Sequence, residues 1–62
     1  MIRYVCLFNP HSEEWLLFEY IENKELYAPN YGCPIYNGAT PEDCIKGGCE
    51  MWDINPDEVG IY

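Results

Sequence analysis

The shortness of the chain constrains its fold more than any other feature, because 62 residues form at most one domain. A chain of this size buries only about 60% of the surface that its unfolded form exposes, so its core is small. We therefore expect one compact domain over residues 1–62 without a large enclosed active site. We predict that the protein is not an enzyme and that it carries neither a cofactor nor a metal ion.

Acidic residues outnumber basic ones by 11 to 3, which gives a formal net charge of −8. Proteins that bind nucleic acid need Lys and Arg to displace phosphate counterions, and this chain offers only Arg3, Lys24 and Lys46. An anionic membrane surface is disfavoured for the same reason. Disordered acidic tails lack apolar residues, whereas 48% of this chain is hydrophobic and 16% is aromatic, so we expect a folded domain.

The apolar runs are too short for a secretion signal or a membrane span. Residues 1–8 are largely apolar, but Asn9-Pro10 ends that run, and the run at residues 15–18 is shorter still. A membrane span needs about 20 apolar residues. We therefore predict a cytoplasmic protein.

Two segments near the start of the chain have the composition of β-strands. Residues 2–8 are rich in β-branched and aromatic side chains and apolar on both faces, which predicts a strand that is central or covered on both sides. Residues 15–22 predict a second strand, joined to the first as an antiparallel hairpin by a loop of about six residues. Later segments are predicted as a short strand at residues 25–27, an ordered loop at 28–38, a strand at 49–54 and a last strand at 59–62.

The clearest local signal is Thr-Pro-Glu-Asp at residues 40–43, which predicts the start of a helix. The threonine serves as N-cap, the proline takes the first helical position, and the two acids face the positive end of the helix dipole. The glycine pair at residues 47–48 predicts that this helix stops early. The predicted fold class is α+β, with a small antiparallel sheet of three to five strands and one short helix near residues 41–46.

The four cysteines, Cys6, Cys33, Cys44 and Cys49, allow three interpretations. In a reducing cytosol they are free thiols that act as small buried hydrophobes. A disulfide among the last three, formed in air, is an alternative. A zinc site is the third interpretation, although the chain has no pair of cysteines separated by just two residues, which is the usual zinc-binding motif.

The only histidine, His11, is followed directly by Ser12 and Glu13. Neighbours in sequence do not have the mutual geometry of a catalytic triad. We therefore interpret His11 as an exposed loop residue and assign no catalytic residue.

The acids fall into two blocks, with none in residues 1–12, five in residues 13–25 and six in residues 42–58. Acids spaced along a surface can imitate the phosphate rows of a nucleic acid, to which a Lys/Arg groove is already complementary. Exposed aromatic side chains among them would anchor such an interface. The predicted partner-binding residues are Glu13, Glu14, Glu19, Glu22, Glu42, Asp43, Glu50, Asp53, Asp57, Glu58, Trp52 and Tyr36.

In size, acidity and aromatic content, the chain resembles the small anti-CRISPR proteins of phages and mobile elements. Several of these are DNA mimics that occupy the basic DNA-binding surface of a CRISPR effector complex. The resemblance rests on the character of the whole chain rather than on a motif. It implies a monomeric, non-enzymatic inhibitor of a basic nucleic-acid-binding host protein, for which a CRISPR effector complex is one candidate, in the cytoplasm of a bacterium if a phage encodes it.

Two alternative hypotheses stay open at this point. One is a small structural or accessory domain that homodimerises through an edge strand or an aromatic patch. The other is a cysteine-based metal or redox module, whose fold would depend on the metal.

Overall fold

The computed structural model describes residues 1–62 as a four-stranded sheet with one main helix. The predicted α+β class is therefore confirmed. In chain order the elements are β1 (Tyr4–Asn9), β2 (Glu14–Glu19), the one-turn helix α1 (Ala28–Tyr31), β3 (Tyr36–Gly38), the helix α2 (Pro41–Trp52), a 3-10 helix (Pro56–Glu58) and β4 (Val59–Ile61). No helix combines the length and the apolar character needed to cross a bilayer.

The strands lie in the order β3-β2-β1-β4 and form a mixed sheet. β2 is antiparallel to both β1 and β3, whereas β4 is parallel to β1. The two edge strands β3 and β4 therefore run in the same direction, and α2 carries the chain from one edge to the other. Such a connection between parallel strands needs a crossover, which a helix usually provides. The last strand was thus predicted in the right place, but the sheet is not purely antiparallel.

The predicted central position of the first strand is confirmed, because β1 lies between β2 and β4 with core on both faces. One layer, on the side of α1, consists of Val5, Leu7, Leu16, Phe18 and Ala28. The other layer, on the side of α2, consists of Cys6, Leu17, Cys44, Cys49 and Ile54. Alternate residues of β1 and β2 enter the two layers because successive side chains of a strand point to opposite faces.

The start of α2 agrees with the prediction. Thr40 has an extended backbone, and its Oγ1 accepts a hydrogen bond of 3.1 Å from the backbone N–H of Asp43. Pro41 is the first helical residue, where its missing N–H leaves no hydrogen bond unmade.

The predicted end of α2 after Lys46 is wrong, because the helix continues to Trp52. Gly47 and Gly48 lie where the helix meets the sheet. A Cβ at Gly47 would overlap the Tyr36 ring, and a Cβ at Gly48 would lie 2.5 Å from a methyl group of Leu17. The glycines allow close packing and do not stop the helix.

The helix ends instead at Asp53, which has a left-handed backbone with φ of 56° and donates its N–H to the carbonyl of Cys49. The strand predicted at residues 49–54 is therefore wrong, since most of this segment is the last part of α2. Aspartate tolerates the left-handed region better than most residues because its side chain can hydrogen-bond locally.

The segment between β2 and β3 also differs from the prediction. Residues 25–27 form no strand, and the predicted loop at 28–38 contains α1 and the short strand β3. Ala28 is buried against the sheet, and the Tyr31 ring lies 5.2 Å from the ring of Phe18. The helix α1 thus covers the face of the sheet opposite α2, and it is held there by side-chain packing rather than by strand pairing.

Candidate binding surface

The solvent side of α2 gathers acids that lie far apart in the sequence. Cys44, Gly48 and Cys49 are buried against the sheet. Four acids are exposed on the other side or at the end of the helix, and we call them the acidic helix face. They are Glu42, Asp43, Glu50 and Asp53. Lys46, also exposed, lies among them, because residues three and four apart are neighbours on a helix surface.

The charge density of this face can be compared with that of a nucleic acid. At a rise of 1.5 Å per residue, Glu42 and Asp53 are separated by about 17 Å along the axis. One strand of duplex DNA carries about five phosphates over this length. With four acids and one lysine, the face carries about three fifths of that charge.

The predicted block of acids on the hairpin does not form one cluster. Glu13 and Glu14 lie at the turn, where Glu13 has a positive φ of 55° and Glu14 accepts a hydrogen bond from Asn37. Glu19 ends β2 and Glu22 follows it, so these two lie about 17 Å from the turn at the spacing of a strand. The structure therefore separates four of these five acids into two pairs.

The two pairs flank opposite ends of α2. The start of the helix lies beside Gly38, where a Cβ would be 2.7 Å from the backbone nitrogen of Cys44, and Gly38 is paired with Trp15 near the hairpin turn. The end of the helix lies beside Ile35, whose carbonyl accepts a 2.8 Å hydrogen bond from Trp52 Nε1. The Ile35 N–H in turn donates a hydrogen bond to the carbonyl of Leu17, in the second half of β2. The start of α2 thus lies towards the hairpin turn and its end towards the end of β2, but Glu14 points to the face of the sheet opposite α2.

Very little of the negative charge is compensated within the molecule. The only ion pair joins Arg3 Nε to Glu58 Oε2 at 3.5 Å, and Lys24 Nζ lies 5.8 Å from the centre of the Tyr31 ring. The other ten acids, including the exposed Asp57, make no ion pair. Uncompensated like charge destabilises a compact state and attracts oppositely charged partners over a distance.

The two predicted aromatic anchors differ in exposure. Trp52 is 53% exposed at the end of α2, and its hydrogen bond to Ile35 fixes the orientation of the ring. Tyr36 is half-buried, with its ring between β3 and the backbone of Gly47. Trp52 therefore keeps an exposed ring surface at the end of α2, on the side of the helix that faces the sheet, whereas most of Tyr36 serves the packing of helix on sheet.

Two exposed apolar residues were not singled out in the sequence. Phe8 is 43% and Ile61 53% exposed, and both lie on the sheet face that α2 covers. The helix packs chiefly on β3 and β2, which leaves the β1 and β4 side of this face more open. The strand pattern of residues 2–8 gave no signal for this, because Phe8 looks like a core position.

All four cysteines are free thiols. Cys33 is exposed, so it is not joined to the buried Cys44 or Cys49. The hydrogen bond that the Cys6 thiol donates to Cys44 raises the pKa of Cys6, and burial raises it further. The same hydrogen bond lowers the pKa of Cys44, although burial acts in the opposite direction. Burial also raises the pKa of Cys49. No three His, Cys, Asp or Glu side chains are arranged to hold a metal ion.

The concave parts of the surface are shallow. The larger, of about 570 Å³, opens widely to solvent between the start of β1 and the end of β2, next to Arg3 and Glu19. The smaller, of about 190 Å³, lies between Phe18 and Tyr31. His11 lies in the exposed hairpin turn, where its backbone N–H bonds to the side chain of Asn9.

Comparisons of the chain with protein-family models, with curated proteins and with solved structures find no match in any of the three.

Proposed function

We propose that this protein binds a basic, nucleic-acid-binding surface of another protein and blocks it, with the acidic helix face at the centre of the contact. The observation that carries the proposal is the gathering of Glu42, Asp43, Glu50 and Asp53 along α2 without ion-pair partners. A groove lined by Lys and Arg attracts such a face for the same electrostatic reason that it attracts phosphates.

The size of the molecule suits this role. A standard protein–protein contact covers about 800 Å² on each partner. That is about a fifth of the 4189 Å² of accessible surface of this chain.

Trp52 provides the apolar part of the contact. Charged residues at the rim of an interface mainly steer and orient, whereas buried aromatic residues contribute much of the affinity. The ring of Trp52 is half exposed at the end of α2, and its orientation is already fixed, so little side-chain entropy is lost on binding.

The resemblance to small acidic anti-CRISPR proteins makes a CRISPR effector complex in a bacterial cytoplasm one candidate partner. In this proposal the protein acts as a monomer, binds no nucleic acid itself and catalyses no reaction.

Two variants with the same loss of charge test the proposal. The helix variant is Glu42→Gln, Asp43→Asn, Glu50→Gln and Asp53→Asn. The hairpin variant is Glu13→Gln, Glu14→Gln, Glu19→Gln and Glu22→Gln. Each is immobilised beside the wild-type protein and exposed to a bacterial lysate at about 50 mM and about 500 mM salt, where screening is weak and strong respectively.

We expect the wild-type protein and the hairpin variant to retain a nucleic-acid-binding protein at low salt and to release it at high salt. The helix variant should retain little of it. Equal loss of the partner by both variants would show that only total charge matters, and capture independent of salt would contradict an electrostatic contact.

A further inference from the structure

The outer edge of β4 has unpaired backbone groups. The Tyr62 N–H donates a hydrogen bond to the Cys6 carbonyl at 3.1 Å. The backbone N–H and C=O groups of residues 60 and 62 therefore point towards β1, and those of Val59 and Ile61 point away from it. The Val59 N–H donates a hydrogen bond to the Pro56 carbonyl of the preceding 3-10 helix. The Val59 carbonyl and both backbone groups of Ile61 therefore point away from the sheet without a strand partner.

The opposite edge of the sheet is protected. Just before β3, the Ile35 carbonyl accepts a hydrogen bond from Trp52 Nε1, and at the end of β3 the start of α2 packs against Gly38. β4 has none of the usual protections of an edge strand other than its shortness, since Val-Gly-Ile carries no charge and no proline.

Apolar side chains lie beside the open edge. Ile61 is paired with Cys6, and Phe8 lies two residues further along β1 on the same face, with its ring 5.5 Å from that of Trp15. A strand added to β4 would continue this face and cover the exposed side chain of Ile61, because alternate side chains of adjacent strands share a face.

The charges around this edge are negative. Asp57 is exposed two residues before β4 and makes no ion pair. The nearby cation Arg3 is paired with Glu58. Basic side chains on an added strand would therefore meet the uncompensated carboxylate of Asp57 on a chain of net charge −8.

We propose that the outer edge of β4 binds an extended basic segment of the partner, which joins the sheet as a fifth strand through the backbone of Ile61. Peptides that add to a sheet edge gain main-chain hydrogen bonds and place alternate side chains on the exposed face. The basic character of this segment rests on the proposed function, whereas the edge geometry is independent of it.

A second copy of the chain fits this edge poorly. It would bring a further charge of −8 to a surface that is already negative. Two edges of three residues would also bury far less than the roughly 1,200 Å² of a stable interface.

Amide hydrogen exchange of the wild-type protein tests this inference. The probe is a short peptide of alternating Lys and Val with blocked ends, and the control peptide alternates Glu and Val. We expect the Lys-Val peptide to slow exchange of the Ile61 amide by about tenfold or more, because that N–H becomes hydrogen-bonded, while the Glu-Val peptide does not.

Two variants address the same contact. Ile61→Pro removes the outward N–H at an edge position where proline is tolerated, and Ile61→Val keeps it. We expect Ile61→Pro to lose most of the affinity for the Lys-Val peptide and Ile61→Val to keep it, with folding of both checked by circular dichroism. If Ile61→Pro does not fold, the exchange measurement on the wild-type protein decides.

Other results would overturn the inference. Binding of the Lys-Val peptide that perturbs α2 and leaves Ile61 exchange unchanged would leave the proposed function intact and refute the added strand. Protection of Ile61 that rises with protein concentration without peptide would identify a second copy as the occupant. Failure of the lysate experiment with Ile61 still protected by the peptide would refute the proposed function alone.

Discussion

The ring of Tyr36 lies against the backbone of Gly47, with no room between them for a β-carbon. This contact brings α2 close to the sheet at the strand β3, and Gly48 makes a similar contact with Leu17. The orientation of the helix follows from these contacts, and with it the direction in which the acidic helix face points.

Replacing Gly47 with alanine should therefore destabilise the protein. Alanine favours a helix by about 1 kcal/mol over glycine, so helix propensity alone predicts a gain. We expect instead a net loss of about 1–3 kcal/mol in the free energy of unfolding, because the added methyl group displaces the Tyr36 ring. Urea unfolding measures it. Lys46→Ala, at an exposed position of the same helix, should change the free energy by less than about 0.5 kcal/mol. A more stable Gly47→Ala would refute the close contact.

The N-cap of α2 should contribute measurably to stability. Thr40→Ala removes the acceptor of the Asp43 N–H, and we expect the free energy of unfolding to fall by about 1 kcal/mol. Thr40→Ser keeps an oxygen in place and should stay close to the wild type. If alanine and serine behaved alike in urea unfolding, the side-chain hydrogen bond would not stabilise the helix.

Thiol modification should separate Cys33 from the other cysteines. Cys33 is exposed, whereas Cys6, Cys44 and Cys49 are buried. We expect mass spectrometry to show one iodoacetamide adduct on the reduced native protein and four adducts in denaturant. Cys33→Ser should show none in the native state. Rapid native modification of a second cysteine would place that residue at the surface.

Alkaline pH should destabilise the fold through its buried thiols. The pKa values of Cys6 and Cys49 are raised, so the folded state keeps protons that the unfolded chain releases above its thiol pKa of 9.0. This stabilisation is complete below pH 9.0 and is lost as the pH rises from there towards the raised pKa of each folded thiol. The lowered pKa of Cys44 adds stability only as the pH rises to 9.0, so it does not change the slope above that pH.

Urea unfolding between about pH 9 and pH 10.5 measures this dependence. We expect the free energy of unfolding to fall over this range and to fall less steeply in Cys49→Ala, which lacks one of the two raised groups. A free energy that stays constant or rises with pH would contradict the assignment.

Local signals in the sequence predict those elements whose conformation depends mainly on neighbouring residues in the chain. The composition of β1 and β2 and the Thr40 cap of α2 are such signals, and the structure confirms them. The edge strand β3 has no such signal, because Tyr-Asn-Gly becomes a strand only by pairing with β2. The direction of β4 depends on the crossover through α2, which the sequence does not show locally.

The length of α2 was the main error, and it also hid the site. A glycine pair normally ends a helix, but here packing against Tyr36 and Leu17 outweighs the intrinsic preference. With a helix ending at residue 46, Glu50 and Asp53 would belong to a separate strand. The sequence predicts these acids as one block in residues 42–58 without their alignment, and the continuation of the helix aligns Glu50 and Asp53 with Glu42 and Asp43.

The central claim is that the acidic helix face occupies a surface which otherwise binds nucleic acid. The most direct measurement is a competition in which the captured partner, bound to a fluorescent duplex, is titrated with this protein and the fluorescence anisotropy is followed. We predict that the wild-type protein and the hairpin variant displace the duplex, while the helix variant does not. A ternary complex in which the duplex stays bound, or equal displacement by the helix variant, would contradict the claim.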